Sequence, residues 1–219
     1  MSPRRAAGLP DDAVSLRDHL ITAAARLIAE RGTAGLTVRD IAREAGVAYG
    51  GLYNHFQDKE ELLALALHAH VQAVEQDLGA PSTHGTLAEN LQAFVWHALA
   101  VHTAILPAFA GLVGSPEVLA RFDALPNPLA DGRGLHTALV DYLETERERG
   151  EVRPDADLDA VATLVIGACH DLVLPRMYRG VREPVEVSAD RVAALVATVL
   201  HGISGPARGG SPKRRTRSR

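Results

Sequence analysis

The chain has 219 residues, 47% hydrophobic and 23% charged, enough for one large domain or two small ones with a buried core and not the composition of a disordered protein. A single cysteine excludes an internal disulfide framework and any CxxC metal or redox pair, and a reducing cytoplasm is the expected compartment. The net charge of -4 is unevenly spread: residues 1–60 carry 8 cations and 8 acids, 61–206 carry 9 against 19, and 207–219 carry +6, so a polyanion would meet the ends and not the middle.

Apolar residues recur at spacings of three and four from residue 15 to 204, and no stretch alternates with period two, so an all-α chain is expected. The first stripe is Leu20, Ala23, Ala24, Leu27 and Ile28, opened by Ser15 and closed by Gly32. Thr37, with Asp40 three residues on, opens a two-turn helix that stops at Gly46; a third short helix follows through Phe56, with Leu52 and Phe56 inward and Tyr49, Tyr53 and Asn54 outward. Asp58 with Glu61 caps a long helix to about Leu78. Thr86 with Glu89 starts another, to about Thr103, and Ser115-Pro116 starts a shorter one; residues 127–134 read as a loop.

The next stripe runs from Leu135 to Leu143 and ends at Gly150. The helix over 157–177 is apolar on both sides, and the last, over 188–203, has a wide apolar arc that includes Ile203. Together they carry more apolar surface than one protomer readily hides, so Val161, Val165, Ala168 and Leu172, with Val192, Leu195, Val196 and Val199, are the expected dimer interface. The longest unbroken apolar runs fall short of the roughly 18–20 residues of a membrane span, and the first twelve residues lack the apolar stretch of a secretory signal; no membrane partner is expected.

Two short helices joined by a tight glycine turn, with tyrosines facing out from the second, describe a helix-turn-helix, whose second helix enters the DNA major groove. The run T-V-R-D-I-A-R-E-A-G-V-A-Y-G-G-L-Y-N-H-F-Q-D-K-E-E-L, from Thr37 to Leu62, resembles the DNA-binding head of the TetR family of transcriptional regulators. The resemblance implies a head over 15–60, a helical ligand-binding and dimerisation body over 61–206, and tails at 1–14 and 207–219. It also implies a homodimeric, ligand-responsive repressor and not an enzyme, with double-stranded DNA, a small-molecule effector and a second copy as partners and no cofactor or metal.

Residue by residue, the resemblance makes Tyr49 and Gly50 base readers and Tyr53, His55 and Lys59 phosphate contacts; since Gly50 and Gly51 offer no side chains, the backbone, Tyr49 and Asn54 are left to do the reading. Arg39 is placed to reach a base or a phosphate, and Thr37 caps its helix and touches a phosphate. Two positions depart from the family pattern: Ala48 replaces the usual hydroxyl cap, and Gly50-Gly51 replaces better helix formers, so a short recognition helix is expected. The effector pocket is expected among Phe94, Trp96, Phe109, Phe122, Tyr142 and Met177, with His97 and His170 as polar anchors. The competing reading is a helical metal-dependent hydrolase built on the adjacent His170 and Asp171, although neighbours on a helix point in different directions.

Overall fold

A computed structural model describes residues 13–180 and 186–202; the expected tails and Ile203 lie outside the described residues, save for the first two residues of α1. The described residues form helices α1 (Ala13–Arg31), α2 (Val38–Glu44), α3 (Tyr49–Leu52), α4 (Lys59–Leu78), α5 (Leu87–Ala110), α6 (Pro116–Asp123), α7 (Gly134–Glu148), α8 (Leu158–Tyr178) and α9 (Ala189–His201). A 3₁₀ turn, Ala130–Gly132, occupies the segment expected as loop.

Side chains start most of these helices. Thr37 and Thr86 form reciprocal boxes with Asp40 and Glu89, while Asp58, Asp157 and Ser188 each accept the N–H of the third helical residue. Helix α1 begins at Ala13, two residues before Ser15. Helix α5 continues seven residues past Thr103, through Pro107. An internal proline removes one ladder bond, but Ile105 and Ala108 extend the buried stripe across it, and tertiary packing outweighs the local preference.

Two apolar clusters organise the fold. The first joins α1, α2, α3 and the first half of α4, and takes in Ala108, Leu112 and Val118 from the end of α5, the following turn and α6. The second joins α5, α7, α8 and α9 with Val71 of α4, and Phe109 and Phe122 pack against both clusters. The seam is close-fitting: the Thr33 hydroxyl donates to the Ala108 carbonyl at 2.5 Å, and Gly32, at φ +75°, backs onto the Pro107 carbonyl. A Cβ on Gly111 would collide with the Ala34 nitrogen and the Thr33 hydroxyl, so only glycine fits that turn.

Two sequence expectations change here. Helices α5 and α8 are long and apolar enough to cross a membrane by length and composition alone; counting unbroken runs did not reveal this because single polar or charged residues interrupt them. The apolar windows of α5 and α8 are 44% and 28% buried, so α8 keeps the larger uncovered share. The expected interface residues also divide. Val165, Val192 and Val196 are 1–2% exposed in the protomer's own core, and Val161, Leu172, Leu195 and Val199 are half-buried against it; Ala168 is half-buried as well. The outward side of α8 carries Ala160, Leu164 and Gly167, with Leu164 at 65% exposure above a groove shared with Ala194 and Thr198 of α9. A helix apolar all round does not reveal by periodicity which side its own fold covers.

Candidate nucleic-acid interface and body cavities

Helix α2 is fixed before it touches anything else. The Thr37 hydroxyl accepts the Asp40 N–H at 3.1 Å and donates to Asp40 Oδ2 at 2.6 Å, and that bond leads the effects that hold the Asp40 carboxyl down at about 2. Helix α3 is a single turn. Ala48 offers no capping side chain, and with Gly50-Gly51 behind it the helix ends at Leu52, so Tyr53, Asn54 and His55 sit on the following turn and not on the helix expected through Phe56. Leu52 and Phe56 are buried and anchor both ends of this segment.

The exposed side gathers a polar aromatic cluster. Tyr49 and Tyr53 are 44% and 48% exposed, their rings meet edge to face at 5.7 Å, and their hydroxyls lie 3.1 Å apart. The Arg39 guanidinium lies over the Tyr49 ring at 5.7 Å, which ties α2 to α3 and presents a cation beside two hydroxyls. Gly50 and Gly51 have open space where side chains would stand, so the backbone can come close to a partner. Asn54 is exposed, and Lys59 is the first residue of α4, half-exposed at a helix N-terminus. The structure therefore brings Arg39, Tyr49 and Tyr53 together, with Gly50 and Asn54 exposed on the same short segment. His55 is half-buried, with its carbonyl accepting a bond from Arg17.

Sequence reasoning missed what braces this surface. Arg17 of α1 binds Glu61 at 2.7 Å, reaches the His55 carbonyl and lies over the Phe56 ring at 5.0 Å. Glu61 accepts the Gln57 N–H, and the Glu61 N–H in turn goes to Asp58. Arg121 of α6 grips both Asp58 oxygens at 2.5 and 2.6 Å, which leads the lowering of the Asp58 pKa. The partners of Arg17 and Arg121 lie 38 to 63 residues away, a separation no local pattern encodes.

The expected pocket residues do not converge on one cavity. Phe94, His97 and Tyr142 line a space of about 530 Å³ between α4, α5 and α7. Trp96, two residues from Phe94 and so about 200° around the helix, faces a groove against α1 with Ile28, Leu99 and Pro107. Phe109 and Phe122 meet edge to face at 5.3 Å, and His170 meets the buried His102 edge to face at 4.4 Å. Met177 is half-buried near the end of α8. Asp171 is exposed beside His170, and no group of three or more His, Cys, Asp or Glu side chains among the described residues could hold a metal.

A short-helix head with an exposed aromatic and cationic surface, built into a larger helical body, defines a helix-turn-helix DNA-binding regulator. Residues 20–66 match the family described as "Bacterial regulatory proteins, tetR family". The chain is 33% identical over 153 residues to the HTH-type transcriptional repressor KstR2 of Mycobacterium tuberculosis, covering 67% of this chain and 74% of that protein. The KstR2 of Mycolicibacterium smegmatis matches at 46% over 54 residues, 25% of this chain and 26% of that protein's length. Among solved structures, the transcriptional regulator FadR from Bacillus subtilis in complex with stearoyl-CoA superposes with a TM-score of 0.58 at 18% identity, over 85% of this chain and 99% of that one. The chain belongs to the TetR family: it is a DNA-binding transcriptional regulator, not an enzyme, and the KstR2 homologues are repressors.

Proposed function

We propose that this regulator is a homodimeric repressor whose hold on its operator is set by a small molecule in the helical body, and that it works in the cytoplasm. The head over 15–60 meets DNA and the body over 61–206 senses and pairs. The observation that carries the reading is the exposed Arg39–Tyr49–Tyr53 cluster, which joins α2, α3 and the turn after it beside two glycines that leave the α3 backbone open. Tyr49, Asn54 and the backbone at Gly50 read base edges; Tyr53, His55 and Lys59 contact phosphates, with Arg39 and Thr37 at the flank.

Pairing uses the outward side of α8 and α9 around Leu164, where apolar surface is left uncovered. The effector enters the cavity between α4, α5 and α7. Helix α4, capped by Asp58 beside the reading turn, carries Glu75 in that cavity's wall, so a ligand that shifts α4 changes the separation of the two heads. Half-sites lie about 34–36 Å apart per turn of B-DNA, so a few ångströms of mismatch lower affinity.

The experiment is selection of a bound duplex from the organism's own upstream DNA, followed by affinity against salt. Neutralising roughly 6–10 phosphates lowers affinity about 10³- to 10⁵-fold between 50 and 200 mM salt, and Lys59→Ala flattens that slope while weakening all sequences alike. A Lys59→Ala variant with altered sequence preference and an unchanged slope refutes the phosphate role.

A further inference from the structure

The wall of the α4–α5–α7 cavity contains a polar group that the fold leaves unanswered. Glu75 uses Oε1 to accept the Ala130 N–H at 3.1 Å, while its Oε2 is buried with no hydrogen-bond partner. The facing group is the His97 imidazole, itself nine-tenths buried, whose Nε2 stands 3.7 Å away, beyond hydrogen-bond reach. Burial lowers the His97 pKa, with Glu75 only partly opposing it, so at neutral pH a neutral ring faces the carboxylate. Buried acceptors in native folds are almost always matched by a donor, so a partnerless carboxylate oxygen on a cavity-lining residue marks where a ligand's donor belongs.

The charge of the wall says which donor. Its acids are Glu75, Asp131 and Asp141; its one permanent cation, Arg133, is engaged by Asp141 at 3.2 Å and by the Ala130 carbonyl at 3.2 Å. Three carboxylates against one guanidinium leave the lining at -2 with His97 neutral. Phe94, Leu135 and Ala138 supply the apolar side. No third metal-ligating side chain joins Glu75 and His97 among the described residues, which argues against an inorganic ion. The lining also disfavours a polyanionic head such as that of the stearoyl-CoA bound by the Bacillus subtilis regulator.

We infer that this cavity takes a small organic cation, an amine joined to an apolar or aromatic body. One ammonium hydrogen goes to Glu75 Oε2 and a second to the lone pair of His97 Nε2, in the tautomer protonated on Nδ1; the body lies against Phe94 and Leu135. This assignment rests on the effector reading above and names its chemistry, and the two fail separately.

The test is calorimetry on the full-length protein with phenethylamine, tryptamine and decylamine, against 2-phenylethanol, 3-phenylpropionate and stearoyl-CoA. The amines should bind at least about tenfold tighter than the alcohol or the carboxylate. Glu75→Gln keeps an acceptor for the Ala130 N–H and offers its own amide hydrogens to His97, so it should melt no lower than the parent and lose the preference for amines. Leu135→Trp, which fills the cavity, should abolish binding of the whole panel. The assignment is overturned if the alcohol, the carboxylate or stearoyl-CoA binds as tightly as the amines. It is overturned equally if no amine gives saturable heat at millimolar concentration, or if amine affinity survives Glu75→Gln. Affinity for the selected duplex, measured in parallel, separates the two readings: amines that bind without moving it sink the effector role alone, whereas a non-amine that moves it sinks the amine class alone.

Discussion

Replacing Leu164 by Asp separates the protomer's own core from its pairing surface. Leu164 is 65% exposed and its neighbour Val165 is 1% exposed, so adjacent positions on α8 report on different contacts. Burying a leucine side chain fully is worth about 1.5–3 kcal/mol, and the part still exposed accounts for about 1–2 kcal/mol of that. A two-fold axis uses the site twice, so pairing draws about 2–4 kcal/mol from Leu164. Leu164→Asp forfeits this and sets two carboxylates near each other across the axis, weakening dimerisation by about 30- to 1000-fold or more. Val165→Ala instead costs about 2 kcal/mol of protomer stability and leaves the association constant close to that of the parent. Sedimentation equilibrium with thermal melts reads both quantities. A Leu164→Asp protein that dimerises as tightly as the parent, or a parent that stays monomeric at micromolar concentration, refutes the assignment of this face.

Arg121→Gln should weaken operator binding although Arg121 is remote from the reading turn, because it releases Asp58 at the start of α4; Arg121→Lys, which restores one charged bond, should recover part of the loss, and equal affinities for all three proteins would dismiss the α6 brace. Acid should destabilise the fold through His102, whose pKa burial lowers from 6.5 to about 4, with His170 and His97 adding to the shift. The unfolded chain then takes up the proton first, so stability falls as pH drops from 6.5 towards 4, by about 3 kcal/mol for this residue. His102→Asn, which keeps a donor near the Ala98 carbonyl, should flatten melting temperature against pH across that window, and parallel curves for variant and parent would exclude His102 as the source.

What could be read from the sequence was what is decided within a few residues. The Thr37–Asp40 and Thr86–Glu89 boxes, the proline start after Ser115 and the shortness of the helix around Gly50-Gly51 all follow from local hydrogen bonding and backbone freedom, and all are present. Features decided by distant partners were not legible. The continuation of α5 past Pro107 depends on packing against α1, and the bracing by Arg17 and Arg121 joins residues far apart in the chain. Trp96 and Phe94 look alike as aromatic residues of an apolar helix, yet 200° of rotation sends them to different cavities. The inward side of α8 was illegible for the same reason, since Val165 and Leu164 differ in surroundings and not in character.

The sharing of the first apolar cluster between the head and residues Ala108, Leu112 and Val118 bears on how such regulators can be recombined. A graft of residues 13–60 onto a foreign body would leave behind the first half of α4 and the α5–α6 corner, and so a large part of the cluster that Leu27, Ile28 and Leu36 belong to. The cut would also part Thr33 from Ala108 and set Gly32 against a strange helix where it now backs onto Pro107. The transferable unit is discontinuous, and a chimera respecting it carries residues 105–122 along with the first 70. New operator preferences are therefore reached more readily by substitution on the solvent side of residues 49–54 than by exchange of whole heads: at Tyr49, Gly50, Tyr53 and Asn54 the surroundings are open and the core does not register the change.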